Sequence, residues 1–428
     1  MKIILFFILV DILLLPISSF AEEQVYEGKV LKKDYYLQQA FDIAIKNNPE
    51  LAKFKLELAV AEARLKQAGL WNNPTFTAES ENFSGDNPGF SRSENTFSFS
   101  QPFSLGGKRD SRKEIALLEL EIARLDYDAK RMHVILAVEV TVWDILIAQQ
   151  NIEFAQQAKE IAQDVYKLKQ SKIEDGASNS SEVFLSAEIE LSETEMDALN
   201  AKKDIKIAKK KLALLLGDSE LSPGECRETL DRDYKIPEYA ALKNYLLERN
   251  PMLLAHRLRE EEGNYLLKYA KSERIPDVEF SIGVRQFKED DTYSFVGGIS
   301  VPLPLFNRNQ GGIQEALVNQ KKIQVEGNAE RNSYLLELTE HYRTFKIIEQ
   351  EIAVLRDRIL PKAEQMLKKT MEGYEKQEVD YLGVLEARRK LIDTQKKYIE
   401  TLRNLNVSIT HLERLCAMHF HSIDKVIY

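Results

Sequence analysis

The sequence predicts a mainly α-helical chain in which four β-strands, arranged as two hairpins, are set between very long coiled-coil helices. Three observations carry this expectation. Val301-Pro-Leu-Pro-Leu-Phe-Asn-Arg-Asn-Gln-Gly-Gly312 joins an alternating stretch to a long helical one, and Gln101-Pro-Phe-Ser-Leu-Gly-Gly-Lys-Arg109 does the same earlier in the chain. Asn48-Pro49-Glu50-Leu51 lies 202 positions before Asn250-Pro251-Met252-Leu253, and Pro74 lies 202 before Pro276. Pro102 lies 200 before Pro302, because the second hairpin is two residues shorter. Two copies at so long a period describe tandem, pseudo-symmetric repeats rather than a solenoid.

The chain opens with one charge and an apolar run, Met1-Lys-Ile-Ile-Leu-Phe-Phe-Ile-Leu-Val, and Ser19-Phe20-Ala21 supplies a small-x-small cleavage site. Residues 1–21 are therefore expected to be a secretory signal. A membrane anchor would need about 20 apolar residues, and Asp11 and Pro16 break the run. Of the 428 residues 30% are charged, and the net charge is −9. An acidic exported chain with no basic cluster argues against nucleic acid as a partner. Cys226 and Cys416 have no CxxC spacing; a disulfide and two separate thiols both fit an oxidising compartment.

Leu37, Ala40, Phe41, Ala44 and Ile45 recur at threes and fours and predict a short amphipathic helix. Pro49 suits the first turn of a second helix, which Asn72-Asn73-Pro74 ends. The period then switches to two. Phe97, Phe99 and Phe103 alternate with Ser98 and Ser100; in the second copy Val278, Phe280, Ile282 and Val284 alternate with Glu279, Ser281, Gly283 and Arg285. Turn-forming residues at 84–91 and 288–291 make each a hairpin. Pro102 and Pro302, lacking a ladder donor, are expected to stop their strands. Strands of about 9 to 11 residues with one apolar face match membrane-barrel strands, and a small soluble sheet packed on helices shows the same alternation.

Long helices follow each hairpin. Ile115, Leu118, Ile122, Leu125, Ala129 and Met132 mark the first stripe, with no Pro or Gly between Lys108 and Asp175; Leu338, Tyr342, Phe345, Ile348 and Ile352 mark the second. Each should reach about 100 Å at 1.5 Å per residue, which reads as coiled coil. A polar turn and a returning helix follow. The short helix before each hairpin and the returning one together match the long helix in length, so two shorter helices can stack end to end beside it. The expected units are a first repeat 22–217 (hairpin 74–104, long helices 108–175 and 178–217), a linker 218–236, a second repeat 237–417 (hairpin 276–304, long helices 310–375 and 380–417) and a tail 418–428. Membrane barrels need at least about 8 strands to close without an edge. Four strands per chain imply that several copies share a barrel.

The order of short helix with Asn-Pro, hairpin, long helix, polar turn and returning helix, present twice after a signal segment, resembles the TolC-type outer membrane efflux proteins over nearly the whole mature chain. The stretches Val301–Gly311 and Gln101–Arg109 resemble junctions of the branch that serves cobalt-zinc-cadmium exporters. The resemblance implies a homotrimer with a twelve-stranded barrel in outer membrane lipid, continued by a periplasmic α-helical barrel. It also implies a periplasmic adaptor protein and an inner-membrane pump of the resistance-nodulation-division type. The chain would then be a passive exit duct for heavy-metal cations, with no cofactor and no enzymatic step. Drug efflux and type I secretion are alternative cargoes, and a secreted coiled-coil scaffold or adaptor is a remoter one. Pro102, Gly106, Arg109, Pro302, Pro304 and Arg308 would form the barrel–helix junctions. Gly176, Ser178 and Gln377 would lie at the adaptor-contacting turns, where the family favours glycine. Where relatives narrow the tunnel with paired acids this chain has Gly383 and Glu386, so Glu386 is the candidate constriction, with Asp380 and Glu378 as neighbours. Many relatives in the metal branch carry a lipidated cysteine at the mature start; none lies near Glu22, so anchoring would rest on the barrel.

Metal ligation has weak support in the linear sequence. The six histidines are scattered and only His419-Phe-His421 is close-spaced, where exposed histidines are usually just solvated. No HExxH, CxxC or phosphate loop is present, so no catalytic constellation is expected.

Overall fold

The computed structural model describes residues 35–83, 89–174, 181–232 and 234–420; the signal segment 1–21, Gly176, Ser178 and His421 lie outside them. The chain runs α1 (Leu37–Asn47), α2 (Pro49–Ala68), β1 (Thr75–Glu81), β2 (Glu94–Phe103), α3 (Lys108–Glu174) and α4 (Ser181–Leu215). The same order then recurs: α5 (Tyr239–Arg249), α6 (Pro251–Ser272), β3 (Val278–Phe287), β4 (Thr292–Ser300), α7 (Gln310–Val354), α8 (Leu360–Glu375) and α9 (Tyr381–Cys416).

The 67 residues of α3 span about 100 Å. Both α2 and α4 pack along it, as α6 and α9 pack along α7. What makes two short helices behave as one is a single asparagine at each joint. The Asn48 side-chain oxygen caps α2, accepting from the Glu50 and Leu51 amides at 2.9 and 3.2 Å, while its amide donates to Leu215 O at the end of α4 at 2.7 Å. Asn250 repeats this: its oxygen accepts from Met252 and Leu253 at 3.0 and 3.3 Å, and its amide donates to Leu415 O of α9 at 3.0 Å. Each asparagine thus satisfies orphan donors of one helix and an orphan carbonyl of the other, and Pro at the next position surrenders no needed N–H. Gly217 completes the first joint. It ends α4 at φ +80°, and a Cβ there would lie 2.2 Å from Asn47 O.

The main core gathers around the middle of α3, where Val138, Val142 and Trp143 are buried. Around them lie Leu212 and Leu216 at the end of α4, Leu242 and Leu246 of α5, Leu338 and Phe345 of α7, and Leu405, Ile409 and Leu412 of α9. A smaller cluster, Phe154, Ile161 and Val165 with Ala187, Leu385 and Ile392, lies further along α3. By length and composition Lys108–Lys167 of α3 is apolar enough to cross a membrane, but 61% of its apolar window is buried inside the protein, which marks a core helix. Cys226 and Cys416 are separate buried thiols, pushed up to about 11 and about 12 by burial. They therefore remain protonated and unreactive.

The second long helix departs from the uninterrupted 310–375 expected. A π-helical turn, Leu355–Ile359, separates α7 from α8. Pro361 has no N–H and its ring would strike the carbonyl four residues back, and widening the preceding turn relieves this without breaking the rod. A second correction concerns β2, which continues through Pro102 to Phe103. Beyond Ser100 the strand has no partner in β1, while β3 still pairs with Pro102 through Glu279; the missing donor falls where the ladder is already one-sided.

Glu139 of α3, 4% exposed, is buried in this core beside Glu413, 3% exposed. Burial first, and then the Glu413 charge, push the Glu139 carboxyl up to about 8. A carboxyl whose folded pKa exceeds its unfolded value contributes stability that is complete below about pH 4.5 and is lost as pH rises towards 8. Glu139→Gln is therefore expected to leave stability at pH 4.5 nearly unchanged and to raise it at pH 8, measured by denaturant unfolding at the two pH values. At the second joint, Asn250→Ala loses both a cap and the partner of a buried carbonyl, and should cost about 3 kcal/mol. Asn250→Ser keeps the cap alone and should cost roughly half as much, a ranking the same unfolding experiment reads.

Candidate functional site

The four strands form one antiparallel sheet in the order β1-β2-β3-β4. The register aligns Phe97 with Val284 and Ala78, Phe99 with Ile282 and Phe76, and Val284 with Phe295. One face is therefore a continuous apolar band: Phe76, Phe97, Phe99, Phe280, Ile282 and Phe295 are 49–91% exposed. Among the described residues no helix packs along it. The opposite face carries Thr96, Ser98, Glu94 and Arg285; the Arg285 guanidinium donates to Thr96 Oγ1 at 2.9 Å and Glu94 Oε2 at 3.2 Å.

The two faces differ in crowding. On the polar face a Cβ at Gly283 would come 2.5 Å from Phe97 O, and one at Gly298 2.7 Å from Ser281 Oγ; on the apolar face the first neighbour of a Cβ at Gly297 lies 3.9 Å away. The polar face is thus the crowded one, with glycine where a side chain would strike the neighbouring strand, and the apolar face is open. Strands β2, β3 and β4 have 10, 10 and 9 residues, the length that crosses a bilayer when tilted. Large exposed apolar patches are rare on proteins that live wholly in water. The sheet is not the soluble, helix-packed kind that the alternation alone equally allowed.

The two junctions between sheet and long helix are built differently. In the first, Arg109 donates through Nε and Nη2 to Gly69 O at 2.9 and 2.7 Å and stacks over Trp71 at 4.6 Å. Lys108 Nζ meets Asp277 Oδ1 at 2.8 Å, which also accepts from the Leu105 amide. Gly106 is left-handed at φ +71°, and a Cβ there would press on Ile275 at 2.8 Å. In the second, Pro302 lies just beyond β4, and Arg308 turns back on its own loop, donating to Pro304 O at 3.3 Å. The tie to the preceding helix passes to Asn309, left-handed at φ 55°, which donates to Ala270 O at 2.9 Å. Lys108, Asp277 and Asn309 were not singled out by sequence reasoning; Asn309, two residues before the Gly-Gly pair, offered the one available signal.

At the opposite end, the turn from α8 to α9 holds Gln377, Glu378 and Asp380. Gln377 has φ 63°; its amide donates to Tyr374 O at 2.9 Å and that of Glu378 to Gly373 O at 2.8 Å. This pair of bonds closes the helix around a residue in the conformation glycine adopts most easily. Asp380 caps α9, accepting from the Gly383 amide at 3.0 Å, so its carboxylate has a structural task. Val379 explains the glycine at 383: a Cβ there would come 2.8 Å from its Cγ1, and one at Gly373 2.9 Å from its Cγ2. Glu378 and Glu386 are exposed, Glu386 lying between the buried Leu385 and Ala387. A group that sequence spacing missed lies midway along the helices, where Glu337, His341 and His411 bring one ligand atom each within 4.8 Å of one another.

Residues 40–218 and 242–417 match the outer membrane efflux protein family. The chain belongs to that family. It is an outer membrane protein of efflux and not an enzyme. It is 26% identical over 379 residues to the cobalt-zinc-cadmium resistance protein CzcC of Cupriavidus metallidurans, covering 89% of each chain. It is 25% identical over 325 residues to the nickel-cobalt-cadmium resistance protein NccC of Alcaligenes xylosoxydans, covering 69% of this chain and 68% of the relative. Its fold is similar to that of the solved channel CusC, at TM-score 0.73 and 18% identity over 92% of this chain and 95% of that one.

The left-handed Gln377 of this efflux protein yields a direct prediction. Gln377→Gly should relieve roughly 0.5–1 kcal/mol of backbone cost after the entropy of glycine is allowed for. Exchange of the Glu378 amide hydrogen is then expected to slow about threefold, and unchanged exchange would show that the turn stores no such strain.

Proposed function

We propose that three copies of this chain close one twelve-stranded barrel in the outer membrane and continue it as a helical tunnel through the periplasm, forming the exit duct of a tripartite exporter for heavy-metal cations. The observation that carries this reading is the exposed apolar face of a four-stranded sheet whose outer edges, on β1 and β4, pair with no strand among the described residues. Exposed edges and an uncovered apolar face are both removed if β4 of one copy pairs with β1 of the next and lipid covers the outside. Two matched segments, 40–218 and 242–417, support two repeats at 22–217 and 237–417. The cargo follows from the relatives, whose names record resistance to cobalt, zinc, cadmium and nickel. A periplasmic adaptor, engaging the turns at Gly176, Ser178 and Gln377, and an inner-membrane pump of the resistance-nodulation-division type would supply capture and energy.

Within the tunnel Glu386 is the residue proposed to face the axis. It projects away from the helix packing, and the cap role of Asp380 leaves Glu386 as the freer carboxylate, with Glu378 on the adjoining turn. Three copies around a narrow axis would attract cations and repel anions. A strain lacking the protein is expected to become hypersensitive to zinc, cobalt or cadmium, and unchanged metal tolerance would move the cargo to drugs or proteins. Detergent-extracted protein should run as a trimer. In planar bilayers Glu386→Gln should lower cation-over-anion selectivity severalfold at low salt, where screening is weak; equal selectivity would remove Glu386 from the constriction.

A further inference from the structure

Two of the six histidines of the chain meet on the seam between α7 and α9. His341 and His411 stack with ring centroids 4.3 Å apart and planes within 7° of parallel. Glu337, one turn before His341, places Oε1 3.7 Å from His341 Nε2. One donor atom from each of Glu337, His341 and His411 lies within 4.8 Å of the others, and all three side chains are half-buried. His411 Nδ1 is buried with no hydrogen-bond partner, which for an imidazole in a folded protein calls for an explanation. His133 of α3 lines an adjoining groove together with Arg414.

We propose that Glu337, His341 and His411 form a binding site for a divalent transition-metal ion of the zinc, cobalt and nickel class. Two imidazoles and one carboxylate suit these borderline ions, which take nitrogen and oxygen donors together and accept water in a remaining position. Arg414, which also pairs with Glu337, opposes a second cation there, so occupancy requires the guanidinium to shift toward the open groove it already lines. That groove, of about 480 Å³, is bordered by Met132, His133, Tyr334 and Arg414 and has room for the displaced guanidinium. The bound ion would join α7 to α9 beside the main core. Such binding, to the chain itself, is separate from the passage of cargo through the duct.

The test uses the untagged full chain in detergent, titrated with zinc by calorimetry and with cobalt by its visible absorption. Saturable binding of one ion per chain is expected, with a cobalt band of the intensity that low-coordinate nitrogen–oxygen ligation produces. His341→Gln, at a half-buried position whose loss leaves the core packed, should weaken binding at least about tenfold. His411→Gln should do the same, with circular dichroism confirming the helical fold, while His419→Gln should bind as the parent does. Absence of saturable binding, or equal binding by His341→Gln, would overturn the site whatever the metal-sensitivity phenotype of the deletion strain.

Discussion

The whole helical part depends on one joint used twice, the asparagine that caps one helix while holding the end of another. An α-helix leaves orphan donors at its start and orphan carbonyls at its end, and two helices meeting head to tail can cancel both sets only if a side chain reaches each way. Asn48 and Asn250 do this with one amide apiece. Without the joint, α2 and α4 would be separate rods free to splay along α3. With it, each long helix has a partner of its own length, and the core packs against a continuous ridge rather than two loose ends.

That completeness contrasts with the sheet. The helices bury one core within the chain, around Trp143 and Phe345, although Ile189 and Leu199 of α4 and Val325 of α7 stay exposed, whereas the sheet buries almost none of its phenylalanines. The contrast is a statement about solvent. The helical core closes within the chain; the sheet is finished only by lipid and by further strands. The junction residues hold these two regimes in register: Lys108 fastens the first long helix to Asp277 at the base of β3, while Arg109 and Asn309 each tie the start of a long helix to the end of the helix before its hairpin. The asymmetry between Arg109 and Arg308 shows that the two halves reach the same geometry with different side chains.

Much of this was legible in order along the chain. The Asn-Pro pairs, the alternation of Phe97, Phe99 and Ile282, and the Gly/Pro punctuation after each hairpin are local signals, set by backbone sterics and by periods of 2 and 3.6. Gln377 could be flagged because its place favours glycine, and its positive φ is the physical reason. The role of Asp380 could not be read, since an exposed acid before a helix fits a cap and a tunnel charge equally well. Lys108 with Asp277, and Glu337 with His341 and His411, join residues far apart in sequence, and no spacing rule predicts such meetings.

The sequence by itself determined the element order, the lengths of the rods and which strand face is apolar, because each follows from neighbours within a few residues. Only the tertiary structure decided that the apolar face is uncovered, that Val379 crowds the space beside Gly383, and that His341 and His411 stack across two helices beside Glu337. Those outcomes depend on how distant segments pack, through excluded volume and hydrogen-bond satisfaction across the fold. Local propensity carries no record of either.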